Sequence, residues 1–263
     1  MEKTETTIFV DWENLFFDLT AIQETDERFS SDFNFNDSEQ LLALIRSFLE
    51  PEEELKRIYF YASEPFTEAE PRITGKGKED LEKFKKDYPE HYEEKVKTSE
   101  NIQKFNHNIA QQNQVKLRVG RVMFEFIYEF EDIRLYSKSK EAKIPIPRLK
   151  LRQKQIDTLL AHDITKLYCT KQGGCILLFS KDTDFVPVLE AAWEKGFEVF
   201  IANIQESPIS VPSDLKKSCG VRKCSVAEIV DSLPKNQHAP KKKNFLPKEP
   251  FNNPFKDKLP KKN

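Results

Sequence analysis

The sequence predicts an α/β domain, a parallel sheet flanked by helices and interrupted by a helical insertion and a β-hairpin insertion. Three observations carry this. Apolar runs such as residues 176–179, too short for helices, alternate with segments whose apolar residues recur every three or four positions. No internal repeat breaks the alternation. Acidic residues gather where strands give way to helices, at Asp11 and again at Asp182 and Asp184, the end of an open parallel sheet at which ligands bind.

Residues 6–10 are a β-rich run that ends in the turn Asp11-Trp12-Glu13-Asn14, and Leu15, Phe16, Leu19 and Ile22 then give a helix one apolar face. Residues 23–37, polar with scattered Phe, read as a loop. Ser38 opens a helix with Glu39 in its first turn, apolar positions from Leu41 to Leu49, and Pro51 past its end. A second strand is expected at 55–62 and a third at 115–119. The charged stretch between them, 63–114, is a helical insertion with helices around 79–86 and 92–111. Residues 122–138 crowd Phe, Tyr, Ile and Glu together and read as an inserted hairpin, closed by Pro145 and Pro147 within an insertion of about 121–150.

A helix over 154–168 follows, with Ile156, Leu159, Leu160, Ile164 and Leu167 on one face and Asp163 expected toward solvent. The strand 176–179 runs through Ser180, Asp182 and Asp184 into a helix. Its buried face is read as Phe185, Val188, Leu189, Ala192 and Trp193, and Gly196 stops it. Residues 197–202 form a further strand and 226–233 a last helix, so one domain is expected over 1–234.

Charged residues make up 33% of the chain and hydrophobic ones 38%, so a core forms only if part of the chain stays outside it. The net charge of −2 hides an asymmetry: residues 235–263 hold nine Lys and two acids, about +7, leaving about −9 on the rest. This Lys-, Pro- and Asn-rich stretch is expected to be a disordered basic tail, either solvated or an arm for nucleic acid or a protein partner. Cys169, Cys175, Cys219 and Cys224 show no metal-binding spacing, and neither a signal peptide nor a membrane span is present, so a reduced, cytoplasmic chain is expected. The four His are scattered, and Gly75 and Gly77 are too few to cradle a nucleotide. The carboxylates remain as the chemistry.

Asp11 or Asp182 alone is explained by helix capping, which needs one acceptor per helix. Asp182 and Asp184 supply two at one turn. If strands 6–10 and 176–179 are neighbours, Asp11 joins them in one crevice, and Asp157, early in its helix, is a further source. Two like charges about 4 Å apart repel by roughly 4 kcal/mol at an effective dielectric near 20. Gathered carboxylates therefore need protons or a cation, and their hard oxygens suit Mg²⁺ or Mn²⁺, which polarises a phosphoryl oxygen and activates water.

Three stretches carry a resemblance. Ile8-Phe9-Val10-Asp11-Trp12-Glu13-Asn14-Leu15, then Lys154-Gln155-Ile156-Asp157 followed by Asp163, then Ser180-Lys181-Asp182-Thr183-Asp184-Phe185 resemble the signature blocks of the NYN domain, in the family's order. That family belongs to the PIN-like superfamily of metal-dependent nucleases, most of which act on RNA. The likeness covers about residues 5–230 and implies a Rossmann-like (PIN-like) sheet around a divalent ion. It assigns Asp11, Asp157, Asp182 and Asp184 to Mg²⁺ or Mn²⁺, and Asn14 to orienting a ligand beside the catalytic acids. Ser180, Lys181 and Lys154 are assigned to the substrate, single-stranded RNA. Two positions depart from the family, which usually has Gly where Gln155 and Lys181 stand. The function expected is a metal-dependent ribonuclease. The alternatives are a non-catalytic RNA-binding or regulatory module on the same fold, which the acidic body favours, and a DNA-directed nuclease.

Overall fold

β1 (Thr4–Asp11) is followed by α1 (Trp12–Thr25), α2 (Glu27–Asp32), α3 (Ser38–Arg46) and β2 (Glu53–Ser63). Then come α4 (Lys76–Asp87), α5 (Pro89–Ala110), β3 (Val115–Arg134), β4 (Glu141–Lys154) and α6 (Ile156–Thr170). β5 (Gly174–Phe179) leads through a 3-10 turn (Thr183–Phe185) to α7 (Val186–Glu194), β6 (Phe197–Ile204), α8 (Ser213–Ser218), β7 (Gly220–Cys224) and α9 (Val226–Ser232). The computed structural model describes residues 3–65, 76–134 and 141–234, with the side chains of 76, 77, 80 and 121–154 outside the description. The basic tail also lies outside the described residues.

The sheet order is β4-β3-β2-β1-β5-β6-β7, parallel throughout except for the antiparallel edge strand β4. β1 and β5 are neighbours, the condition for their acidic turns to meet, in register from Thr6–Cys175 to Val10–Phe179. From β1 the order runs to β2 and β3 on one side and to β5, β6 and β7 on the other, so the switch point of a doubly wound sheet lies between β1 and β5. Ile8–Val10 of β1 and Cys175–Phe179 of β5 read as unbroken apolar runs because both faces are covered there. Ile8, Val10, Leu177 and Phe179 join one core with α1, α3, α5 and α9, and Phe9, Ile176 and Leu178 join the other with α6 and α7. Among the described residues no helix is long and apolar enough to cross a membrane.

Several elements differ from the sequence reading. The expected loop at 23–37 contains α2, capped by Asp26, whose carboxylate accepts from the Arg28 and Phe29 N–H groups. Its scattered aromatics are core: Phe29, Phe33 and Phe35 are buried, and Phe35 packs edge-on against Trp12 and Phe16. The third strand and the hairpin are one continuous element, because β3 pairs with β2 through Gly120 and carries straight on against β4. Pro145 and Pro147 therefore lie inside β4 rather than closing the insertion, which an edge strand permits because its outer N–H groups need no partner. Trp193 is not on the buried face. Phe185, Leu189 and Ala192 fill that stripe, and Trp193, in the last turn of α7, is 66% exposed. β7 and α8 were not foreseen. All four cysteines are free, and burial pushes the Cys175 thiol up to about 12, fitting its expected role as a small apolar residue.

Candidate active site

Asp11 ends β1 and caps α1. Its Oδ1 accepts from the Asn14 backbone N–H (3.3 Å), and its Oδ2 accepts from the Asn14 side-chain amide (2.6 Å) and the Ser180 hydroxyl (3.3 Å). Ser180, next door at the end of β5, accepts in turn from the Asp182 N–H (3.2 Å). Asp182 caps the 3-10 turn, accepting from the Asp184 N–H at 2.9 Å. Capping thus operates at both junctions, as expected of either aspartate alone. It does not account for their mutual field.

Asp11 is 3% exposed, and its pKa is pushed up to about 6. Burial is the largest cause, opposed by the two Asn14 hydrogen bonds and reinforced by the charges of Asp157 and Asp182. The Asp157 carboxyl is likewise raised, by burial first and then by Asp182 and Asp184. Four carboxylates from β1, α6 and the turn after β5 therefore act on one another electrostatically, although Asp157 and Asp184 are the more exposed members.

The donor set suits a hard dication, since carboxylate oxygens predominate and one is held buried in a field that opposes its ionisation. Among the described residues no three Asp, Glu, His or Cys side chains are grouped closely enough to hold a metal ion together. An ion here would take one or two carboxylates directly and reach the others through water, as Mg²⁺ commonly does.

α6 begins two residues later than its sequence suggests. Lys154 is the last residue of β4, opposite Arg121, and its side chain lies outside the described ones. Gln155 then turns the chain in a left-handed conformation, φ +75°, before Ile156 starts the helix. This is a position where the resembled family usually has Gly, and the conformation gives the reason: the Cβ of an L-residue is crowded there, at about 1–2 kcal/mol. Gln155→Gly is expected to stabilise the fold by roughly 0.5–1 kcal/mol, the relief of strain being partly offset by the freer unfolded chain. Chemical denaturation checks this, and a lower midpoint for the glycine variant would contradict it.

Asp163 does not face solvent. It is 7% exposed and accepts from Arg118 Nε (2.7 Å) and Nη2 (3.1 Å) and from the Tyr61 hydroxyl (2.9 Å). Its position beside Ile164 on the buried side of α6 accounts for this; Arg118 on β3 neutralises it, and Tyr61, its partner in register on β2, adds a hydrogen bond. The site therefore leaves Asp163 as a strut between α6 and the sheet.

Lys181, expected toward the substrate, turns inward instead. It is 5% exposed and its ammonium donates to Asp18 Oδ1 (2.8 Å), the Ile209 carbonyl (2.6 Å) and the Ser207 hydroxyl (3.2 Å). An ammonium has three N–H groups, and these partners use them all. Asp18 and Ser207 are residues the sequence reading missed. A signal for Asp18 was present: it stands three positions after Leu15 and four before Ile22, inside the apolar stripe of α1. A carboxylate there needs a buried partner.

The NYN domain family model matches residues 5–222. Among curated proteins and solved structures nothing matches.

Proposed function

The chain belongs to the NYN domain family, and on that premise we propose that it is a metal-dependent ribonuclease hydrolysing RNA phosphodiester bonds at the mouth of the β1–β5 switch point. The observation that supports this most is Asp11, a buried carboxylate raised toward neutrality by burial and by the charges of Asp157 and Asp182.

In this reading Asp11, Asp157, Asp182 and Asp184 would hold Mg²⁺ or Mn²⁺, directly or through water. When bound, the ion polarises the scissile phosphoryl oxygen and lowers the pKa of the attacking water. The protein's own part is positioning. The Asn14 amide fixes the orientation of the Asp11 carboxylate, and Ser180 couples Asp11 to the backbone of Asp182. Asp182 in turn holds Asp184 at the head of the turn. Ser180 is buried in this chain of hydrogen bonds and acts on the carboxylates rather than on free solvent.

Labelled single-stranded RNA and DNA of one sequence, incubated with Mg²⁺, Mn²⁺ or chelator, test the proposal. RNA is expected to be cut with either ion and spared with chelator, and Asp182→Asn to slow cutting by roughly 100-fold or more with its melting curve intact. RNA bound but never cut would favour the non-catalytic module, and preferential cutting of DNA would favour the DNA-directed nuclease. Undiminished cutting by Asp182→Asn would remove the site.

A further inference from the structure

The ribbon made by β3 and β4 leaves the sheet at the end that carries the acidic turns. The parallel part of β3 stops at Gly120, opposite Ser63, and β4 returns at Lys154, just ahead of Asp157. Between them run fourteen antiparallel pairs, from Arg121–Lys154 to Arg134–Glu141. At about 3.4 Å per residue the ribbon reaches roughly 45 Å.

Directly opposed residues share a face, and successive pairs alternate between the two faces. One series is mostly apolar from Phe124 to Phe130, which stand opposite Leu151, Leu149, Pro147 and Pro145, and it ends in the charged pairs Asp132–Lys143 and Arg134–Glu141. The other series begins at the sheet with Arg121–Lys154, Met123–Arg152, Glu125–Lys150 and Ile127–Arg148. Those four pairs hold five cations and one acid. Arg121 and Lys154 are like charges placed directly opposite, a pairing that destabilises a sheet by itself. An anion lying across them reverses the sign.

Such a face answers a difficulty in the ribonuclease reading, on which this inference rests. The first 234 residues carry a net charge of about −9 and the candidate site is a group of carboxylates, so an approaching polyanion is repelled. We propose that the ribbon face bearing Arg121, Arg148, Lys150, Arg152 and Lys154 grips the RNA sugar–phosphate backbone beside the cleavage site.

The test measures fluorescence anisotropy of a labelled single-stranded RNA across a KCl series, using the full chain with Asp182→Asn to prevent cutting. Replacing Arg148, Lys150 and Arg152 together by Gln is expected to weaken binding by at least about 10-fold at low salt. It should also reduce the slope of log K against log salt by roughly 2, from about 0.7 per contact. Glu125→Gln should tighten binding by roughly two- to five-fold, a gain that misfolding cannot produce. Replacing the exposed Lys195, Lys216 and Lys223 by Gln, an equal loss of charge away from the ribbon, should leave the slope unchanged. An unaltered slope in the ribbon variant, an equal fall in the control, or no gain with Glu125→Gln overturns the proposal. Cleavage with Asp182 restored separates the two readings. RNA held through the ribbon but never cut leaves the grip standing without the nuclease. Cutting of long RNA with the same KM in wild type and ribbon variant removes the grip alone.

Discussion

Asp11→Asn is expected to raise the stability of the metal-free chain at pH 7 by about 2–3 kcal/mol, roughly 5–8 °C in melting temperature, while abolishing RNA cleavage. The sign follows from the shift. Asp11 has a folded-state pKa of about 6 against an ordinary value of 3.8, so the folded chain keeps a proton that the unfolded chain has already lost between those values. Stability from this group therefore falls as pH rises through that window, and the whole penalty is present at pH 7. Asparagine removes the charge at nearly constant shape. Its Oδ1 still accepts from the Asn14 N–H, and the Ser180 hydroxyl and Asn14 amide can each reverse to accept. Thermal melts from pH 4 to 7 should show a wild-type decline attributable to Asp11 that the variant lacks. Added Mg²⁺ should recover stability in wild type but much less in the variant, because the ion binds the ionised carboxylate. A variant that melts below wild type, or that keeps the full pH slope, would refute the idea that Asp11 is held ionised against its environment. A stabilising substitution that destroys activity is the signature of a site strained for function.

What could be read from residue order follows the physical periodicities. β5 was legible because a strand buried on both faces must be apolar without interruption, β1 and β6 through their short apolar and β-branched runs, and the β1–β5 adjacency was the condition a doubly wound sheet sets at its switch. The acidic turns were legible for the same reason, since chain position alone puts Asp11, Asp182 and Asp184 at strand ends. The elements that escaped have no such period. β7 is five residues long, with Arg222 buried in it by an ion pair to Glu53 at 2.6 Å, so hydropathy hides it. α2 is six residues whose one buried apolar position, Phe29, repeats nothing. Asp163 read as a solvent-facing charge and Lys181 as a substrate-facing one because each partner, Arg118 for one and Asp18 for the other, is distant in sequence. Pairings of that kind are properties of the fold, and local pattern does not contain them.

Lys181→Met is expected to destabilise the chain by about 3–5 kcal/mol, and Asp18→Leu together with Lys181→Met to recover most of that loss. The pair is buried on both sides, with side-chain exposures of 6% and 10% and a closest approach of 2.6 Å. Burial lowers the Lys181 pKa and raises that of Asp18, so desolvation outweighs their attraction in each. Such a pair adds little net stability over apolar residues, yet removing one member strands a charge in the interior. Function should not recover with stability. Lys181 lies between Ser180 and Asp182, and its ammonium ties their turn to α1 through Asp18 and to the segment after β6 through Ser207 and Ile209. With the tie gone, the turn bearing Asp182 and Asp184 loses its anchor. The double variant should then cut RNA roughly 10–100-fold more slowly in kcat with KM little changed, because positioning of the reacting groups is lost and binding is not. Denaturation midpoints of the two single variants and the double give the coupling energy, and steady-state kinetics give the split. A double variant with wild-type kcat would make the pair a structural plug. A Lys181→Met protein as stable as wild type would mean that Asp18 has access to water after all.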